Sequence, residues 1–172
     1  MHGNNFSCDA ATSADCYHGS CTCHSIRYRL TAPPMFVHCC HCTWCQRETG
    51  SAFAMNALIE NIHLEVLTGE VVTVATPSHS GKGQMITRCP HCHVALWSHY
   101  THKRIAFVRV GTLNHPQGIT PDVHIYTSTK QPWVILPEGV PAFRGYYSTS
   151  KLWPEKSLLR RAALNRKASN QK

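Results

Sequence analysis

CCHCTWC, residues 39–45, packs four cysteines into seven positions, and its reading decides the fold. Thiols this dense belong to a disulfide knot, a metal cage or a reactive centre, and the choice depends on where the chain's other six cysteines stand. Four of them form two outer pairs, Cys21 and Cys23 in SCTCHS and Cys89 and Cys92 in RCPHCHVAL; Cys8 and Cys16 stand in a polar leader. The opening MHGNNFSCDAATSADCYHGS has no apolar segment of the kind a secretory signal needs, and no run approaches the roughly 20 apolar residues that span a bilayer. The expectation is a soluble, cytoplasmic protein whose thiols stay reduced. In that setting closely spaced cysteines read as metal ligands rather than as disulfides.

Spacing then sorts the thiols. Alternate residues of an extended strand share a face, so Cys21 and Cys23 can hold one ion together, and the C-x-x-C at 89–92 can do the same from a tight turn. Together the outer pairs make four thiolates, a closed tetrahedral zinc site stapling the start of the domain to its middle and contributing folding energy. In the central cluster Cys40 and Cys42 share a face, Cys45 can return to it from a turn, and Cys39 points away as a small buried hydrophobe. Three thiolates with no fourth cysteine match a catalytic zinc that keeps an open position. Three other readings stand beside this one. A histidine, His38 on the same strand face or His91 or His93 through space, would close the site as a structural one. An iron–sulfur cluster would use the same thiols, although their spacing does not match the usual cluster runs. Both zincs would otherwise be purely structural. His41, between two ligands but facing away from them, reads as support for the site from behind.

Around the cysteines the chain divides in three. Residues 1–18 are small and polar, a flexible leader. Residues 19–143 break into short runs rich in Val, Ile, Thr and aromatics, SIRYRL, MFVHC, SAFAMNALI, HLEVL, VVTVA, QMITRC, VALWSHY, RIAFVRVGTL, DVHIYTS and PWVIL, each of strand length. They predict an all-β, mainly antiparallel domain. Residues 144–172 form a basic tail in which EKSLLRRAALNRKA carries Leu158, Leu159, Ala162 and Ala163 at helical spacing after Pro154. The formal net charge is +8, and residues 151–172, with seven basic side chains against one acidic, hold +6 of it. Basicity that belongs mostly to a tail is poor support for a nucleic-acid protein, although it would suit a binding module that uses the tail for a protein or nucleic-acid partner.

Taken in order, GSCTCHSIRYRL (19–30), CHCTWCQRETGSAF (40–53), CPHCHVALW (89–97) and HIYTSTKQPW with LPEGVPAF (124–133 and 136–143) resemble the glutathione-dependent formaldehyde-activating enzyme family, the S-(hydroxymethyl)glutathione synthases. The resemblance implies a β-tent of several coiled antiparallel sheets around two Zn²⁺ ions. It implies a structural zinc on Cys21, Cys23, Cys89 and Cys92, and a catalytic zinc on Cys40, Cys42 and Cys45. It also implies carbon–sulfur lyase chemistry in the condensing direction, joining glutathione to formaldehyde, with small-molecule thiol and aldehyde as the partners. Arg47 and Gly50 match the family pattern after the central cluster; Arg47 would meet an anionic group of glutathione or brace the zinc loop through its carbonyls, and Gly50 would permit the turn that follows. Trp133 and Phe143 read as sheet-packing residues. The chain departs from the pattern at His24 and His93, which stand where the family has glycine after each outer pair; such glycines commonly serve positive φ.

Overall fold

The computed structural model describes residues 17–100 and 104–169, except for the side chains of 165–169. The leader expected over 1–18 falls almost wholly outside the described residues, together with Cys8 and Cys16. Among the described residues the fold is mostly β, with ten strands and three α-helices. A small antiparallel sheet consists of β1 (Tyr17–Ser20), β2 (Arg27–Leu30) and β5 (Leu64–Thr68), with β2 in the middle. The large sheet contains β3 (Phe36–Cys40), β4 (Ala54–Glu60), β6 (Val72–Thr76), β7 (Gln84–Arg88), β8 (Ala95–His99), β9 (Ile105–Arg109) and β10 (Val123–Ile125), in the order β10-β3-β4-β9-β8-β7-β6. Every neighbouring pair is antiparallel except β10 with β3, which run parallel. No helix among the described residues is long and apolar enough to cross a membrane.

The central strands β3, β4 and β9 are apolar on both faces, as strands buried on both sides must be. Alternation sends Val37, Ala57, Ile59, Ala106 and Val108 to one face, where they pack with Tyr28 and Leu30 of the small sheet. It sends Phe36, Leu58, Ile105 and Phe107 to the other, where Val123 and Ile125 join them and Tyr147 and Trp153 close over them. The packing between the sheets is tight at β1. Gly19 is paired with Tyr28, and a Cβ at residue 19 would stand 2.3 Å from the buried Tyr28 ring. Gly19→Ala is therefore expected to lower stability by about 1–3 kcal/mol through overpacking, read as a lower urea midpoint at unchanged slope.

The basic tail docks. Two helices, α2 (Thr149–Leu152) and α3 (Glu155–Ser169), follow the last strand and cover the second core face. Ser157 Oγ donates to the Met35 carbonyl at 2.6 Å, and Arg160 makes a two-pronged pair with the buried Glu60, Nε to Oε1 at 2.7 Å and Nη2 to Oε2 at 2.5 Å. Arg161 lies over the Trp153 ring, 5.6 Å from its centroid. Leu158 and Leu164 pack against the core while Leu159 is exposed, so the apolar pattern read from the sequence is only partly the docking face.

Two expectations need correction. PWVIL is not a strand: residues 132–136 form an irregular loop bracketed by Pro132 and Pro137, with Trp133 73% and Ile135 92% exposed. Apolar composition suggested pairing, but the segment pairs with no strand among the described residues, and the prolines withhold ladder donors. Trp133 is therefore not a sheet-packing residue, whereas Phe143 does pack against the second core. The stretch after Cys42 is also a helix, α1 (Thr43–Thr49), which the strand-length reading passed over. Cys42 is its N-cap, with Sγ accepting from Cys45 N–H at 3.4 Å, and Gly50 ends it in the left-handed region at φ 63°.

Candidate metal centres and the cleft between them

The fold gathers two groups of thiols. Cys21, Cys23, Cys89 and Cys92 bring their sulfurs within 4.8 Å of one another, although the outer pairs are far apart in sequence. The Sγ atoms of Cys21 and Cys23 are 3.4 Å apart, and those of Cys23 and Cys89 are 3.7 Å apart. Sulfurs about 2.3 Å from a tetrahedral zinc stand about 3.8 Å from each other, so the donor set fits that ion. Strand alternation does not bring Cys21 and Cys23 together, as the spacing had suggested. Alternate residues on a strand lie about 6.6 Å apart along it, and β1 ends at Ser20. A tight turn converges the thiols instead, with His24 N–H donating to the Cys21 carbonyl at 3.0 Å.

The two turns are built alike. Cys21 N–H donates to Ile26 O and Cys89 N–H to Val94 O, both at 3.1 Å and both five residues on. Backbone N–H groups then point at sulfur: Ile26 N–H at Cys21 Sγ (3.4 Å), and His91 and Cys92 N–H at Cys89 Sγ (3.4 and 3.5 Å). Ser25 Oγ lies 3.1 Å from Cys23 Sγ and 3.2 Å from Cys89 Sγ. Donors aimed at sulfur stabilise thiolates over thiols. The glycine-to-histidine departures fall on the turns' left-handed positions, with φ 58° at His24 and 59° at His93. A side chain there is strained. His24→Gly and His93→Gly are each expected to raise stability by about 1 kcal/mol, measured by denaturant unfolding of the metal-loaded protein; loss of stability in both would show that the imidazoles hold the turns.

Cys40, Cys42 and Cys45 form the second group, their sulfurs within 4.8 Å of one another. Cys40 is the last residue of β3, Cys42 caps α1, and Cys45 comes back on the first turn of that helix. The thiols depend on one another for charge. The Cys42 thiol is pulled well below the usual thiol range, chiefly by the hydrogen bond from Cys40 and then by that from Cys45, while the same bond to Cys42 pushes Cys40 far above it. One thiolate is thus favoured at its neighbours' expense, as expected of sulfurs that need a cation to ionise together. Among the described residues no histidine or carboxylate joins them. The closing role considered for His38 is not realised: its Nε2 is 2.6 Å from Tyr147 Oη, which in turn accepts from Trp153 Nε1 at 2.6 Å. Desolvation holds buried His38 at about 3, so it is neutral at physiological pH.

Behind this group, on the opposite face of β3, lies an arrangement that the sequence did not reveal. Parallel pairing of β10 sets His124 beside Cys39, and His41 Nε2 lies 2.9 Å from His124 Nδ1 and 3.5 Å from Cys39 Sγ. The three donor atoms lie within 4.8 Å of one another, but the rings are tilted by only 29° and their centroids are 5.2 Å apart, the N···N distance plus two ring radii. The nitrogens therefore face each other in line, as in an N–H···N hydrogen bond, rather than converging on one ion. The His41 carbonyl is a hub, accepting from Gln46 Nε2 at 2.7 Å and Thr129 Oγ1 at 3.0 Å. Gln46 also reaches Thr129 O and accepts from Gln131 Nε2. Bracing of the cysteine loop, expected of Arg47, thus falls to Gln46 one residue earlier. The Arg47 side chain is exposed on α1 and makes no hydrogen bond or ion pair among the described residues.

A cleft of about 530 Å³ opens between the outer turn that carries Cys92 and the helix that carries Cys45. Cys92 and His93 of the outer turn line one side, and Glu48 and Thr49 of α1, with Ala54, line the other. An ion pair between Arg88 and Glu48 joins the walls. Arg109, at the end of β9, is also in the lining, and its charge reaches the Cys45 thiol. The phenols of Tyr100, Tyr126 and Tyr146 are near enough to the central sulfurs to feel their charge; burial is the larger cause of their raised pKa values.

A mainly antiparallel β fold that converges two thiol clusters able to hold metal ions, with a cleft alongside, defines a cysteine-rich β-protein with metal-binding capacity. The chain belongs to the glutathione-dependent formaldehyde-activating enzyme family, whose profile matches residues 16–129. The family is one of enzymes, and its chemistry is glutathione-dependent activation of formaldehyde. Among solved structures, a crystal structure of a Rhodobacter sphaeroides protein from a structural-genomics programme is similar at 17% identity, with a TM-score of 0.43 over 60% of this chain and 91% of that one. No curated protein matches the chain.

Proposed function

We propose that this protein is a zinc-dependent carbon–sulfur lyase working in the condensing direction, joining the thiol of glutathione to formaldehyde to give S-hydroxymethylglutathione. Cys21, Cys23, Cys89 and Cys92 hold a structural zinc in this reading, and Cys40, Cys42 and Cys45 hold a catalytic one. The observation that supports it is the central trio, three converged thiols that no fourth protein ligand completes among the described residues. When bound there, zinc supplies a positive charge that favours ionisation of a thiol and polarises an aldehyde oxygen.

The protein's own residues position the reactants. The helical turn of α1 and the Gln46 hydrogen bonds hold the three sulfurs in place, so the open side of the trio keeps a constant shape. In the net reaction the S–H bond breaks, a C–S bond forms at the aldehyde carbon, and the carbonyl oxygen takes the proton. Holding thiol and aldehyde together turns an encounter of two solutes into one within a site, a large part of what an enzyme can add here.

The test is exchange NMR on glutathione mixed with formaldehyde, because the adduct also forms unaided and only acceleration is informative. The zinc-loaded protein is expected to speed interconversion of free thiol and adduct, and Cys42→Ser to abolish the gain while leaving a folded protein with one zinc. A Cys42→Ser variant with full activity would contradict the assignment.

A further inference from the structure

Arg109 is out of place for an arginine. It is 7% exposed, its Nε has no hydrogen-bond partner, and one Nη donates to the Oδ1 of Asn56, a neutral group. No carboxylate among the described residues lies within ion-pair distance of it. A guanidinium cannot shed its proton, and a buried charge without a partner is costly. Its charge reaches the Cys45 thiol but meets no carboxylate among the described residues, and Arg109 borders the cleft where an external anion would lie.

Apart from Cys92 of the outer thiol group, three charged side chains line that cleft. Glu48 and Arg88 neutralise each other, which leaves Arg109 as the cation without a carboxylate partner. The cleft abuts the central trio: Glu48 and Thr49 are one turn beyond Cys45 on α1, Ala54 is the cross-strand partner of Cys40, and Arg109 acts electrostatically on Cys45. Asn56 and Arg109 are cross-strand partners, so the guanidinium is fixed by the sheet and by its Asn56 bond rather than by a mobile loop.

We propose that Arg109 anchors a carboxylate of the thiol substrate in this cleft, so that the site selects low-molecular-weight thiols bearing a carboxylate. The planar fork of the guanidinium, with Nε and a free Nη on one edge, matches a carboxylate's two oxygens. This rests on the proposed function in assuming that the ligand is the thiol which reaches the trio. It transfers to Arg109 the anion-binding role that the sequence suggested for the exposed Arg47.

The test measures binding of S-methylglutathione, whose thioether cannot react, to the zinc-loaded full chain by titration calorimetry. Binding to the wild type is expected to weaken at least tenfold in Arg109→Met. S-methylglutathione dimethyl ester, with both carboxylates blocked, is expected to bind the wild type as weakly, an arm that needs no variant to fold. Arg109→Lys, which keeps the charge without the fork, is expected to fall between. Unchanged affinity in a folded Arg109→Met, equal affinity for the ester, or no binding to the wild type would overturn the anchor. Because the probe cannot react, carboxylate-dependent binding with no acceleration of the formaldehyde reaction would leave the anchor standing and remove the synthase reading instead.

Discussion

Cys89→Ser is expected to abolish cooperative folding rather than merely lower activity. Cys89 is fully buried at the end of β7, where its sulfur accepts two backbone N–H groups and lies 3.7 Å from Cys23 Sγ on the turn after β1. In the proposed ligand set it is one of four thiolates tying the small sheet to the large one. Structural zinc sites contribute on the order of 10 kcal/mol at neutral pH, as much as the whole stability of a typical domain. Serine is nearly isosteric, so if the four thiols were no more than neighbours, the same change would cost only about 1–2 kcal/mol. The measurements are zinc content and thermal unfolding by circular dichroism. A soluble Cys89→Ser protein that unfolds cooperatively with unchanged zinc content would remove the structural site. Cys42→Ser is the contrasting variant, since the trio belongs to the end of β3 and the helix that follows it and does not bridge the sheets.

Arg160→Ala is expected to destabilise the protein by about 3–5 kcal/mol, the usual result of breaking a buried ion pair from one side. Glu60 is 4% exposed, and both its oxygens are held by Arg160, which also donates to Pro33 O at 2.9 Å. Removing the guanidinium leaves a buried carboxylate without its cation. The reverse change, Glu60→Gln, leaves an arginine whose side chain is 28% exposed and can turn to solvent, so its effect should be smaller. The double variant should be more stable than Arg160→Ala alone, because the stranded charge is gone; additive losses in this cycle would contradict the buried-pair account. Proteolysis of Arg160→Ala should begin within α3, since that helix is then held only by the Ser157 bond, the bond from Arg104 to the Leu164 carbonyl and the apolar contacts of Leu158 and Leu164 among the described residues.

The same pair bears on the basic tail. From charge alone, residues 151–172 suggest a region free to bind a partner. In the folded chain Arg160 is engaged with Glu60 and Arg161 with Trp153, so part of that charge serves the tail's own attachment. Composition reports the charges and cannot report which of them have found partners within the chain.

What the sequence determined by itself were the features carried by neighbours in the chain. Short runs of β-branched and aromatic residues marked the strands, as strand alternation within a few residues sets which face is buried. The C-x-C, C-x-x-C and C-H-C-x-x-C spacings marked which thiols can share an ion, and the pattern after Pro154 marked α3. Positions at which the backbone must be left-handed were legible too: the histidines standing where the family has glycine adopt φ 58° and 59°. Tertiary structure alone decided the rest. Cys21 and Cys23 meet through a turn rather than along a strand. His124 lies beside Cys39 because β10 pairs parallel to β3, a register to which no local period points. Gln46 rather than Arg47 braces the cysteine loop, a difference of about 100° around a helix. Arg109 became notable only through burial without an ionic partner. Each of these depends on segments tens of residues apart meeting in one register, and a local pattern constrains which face a side chain takes but not what it will face.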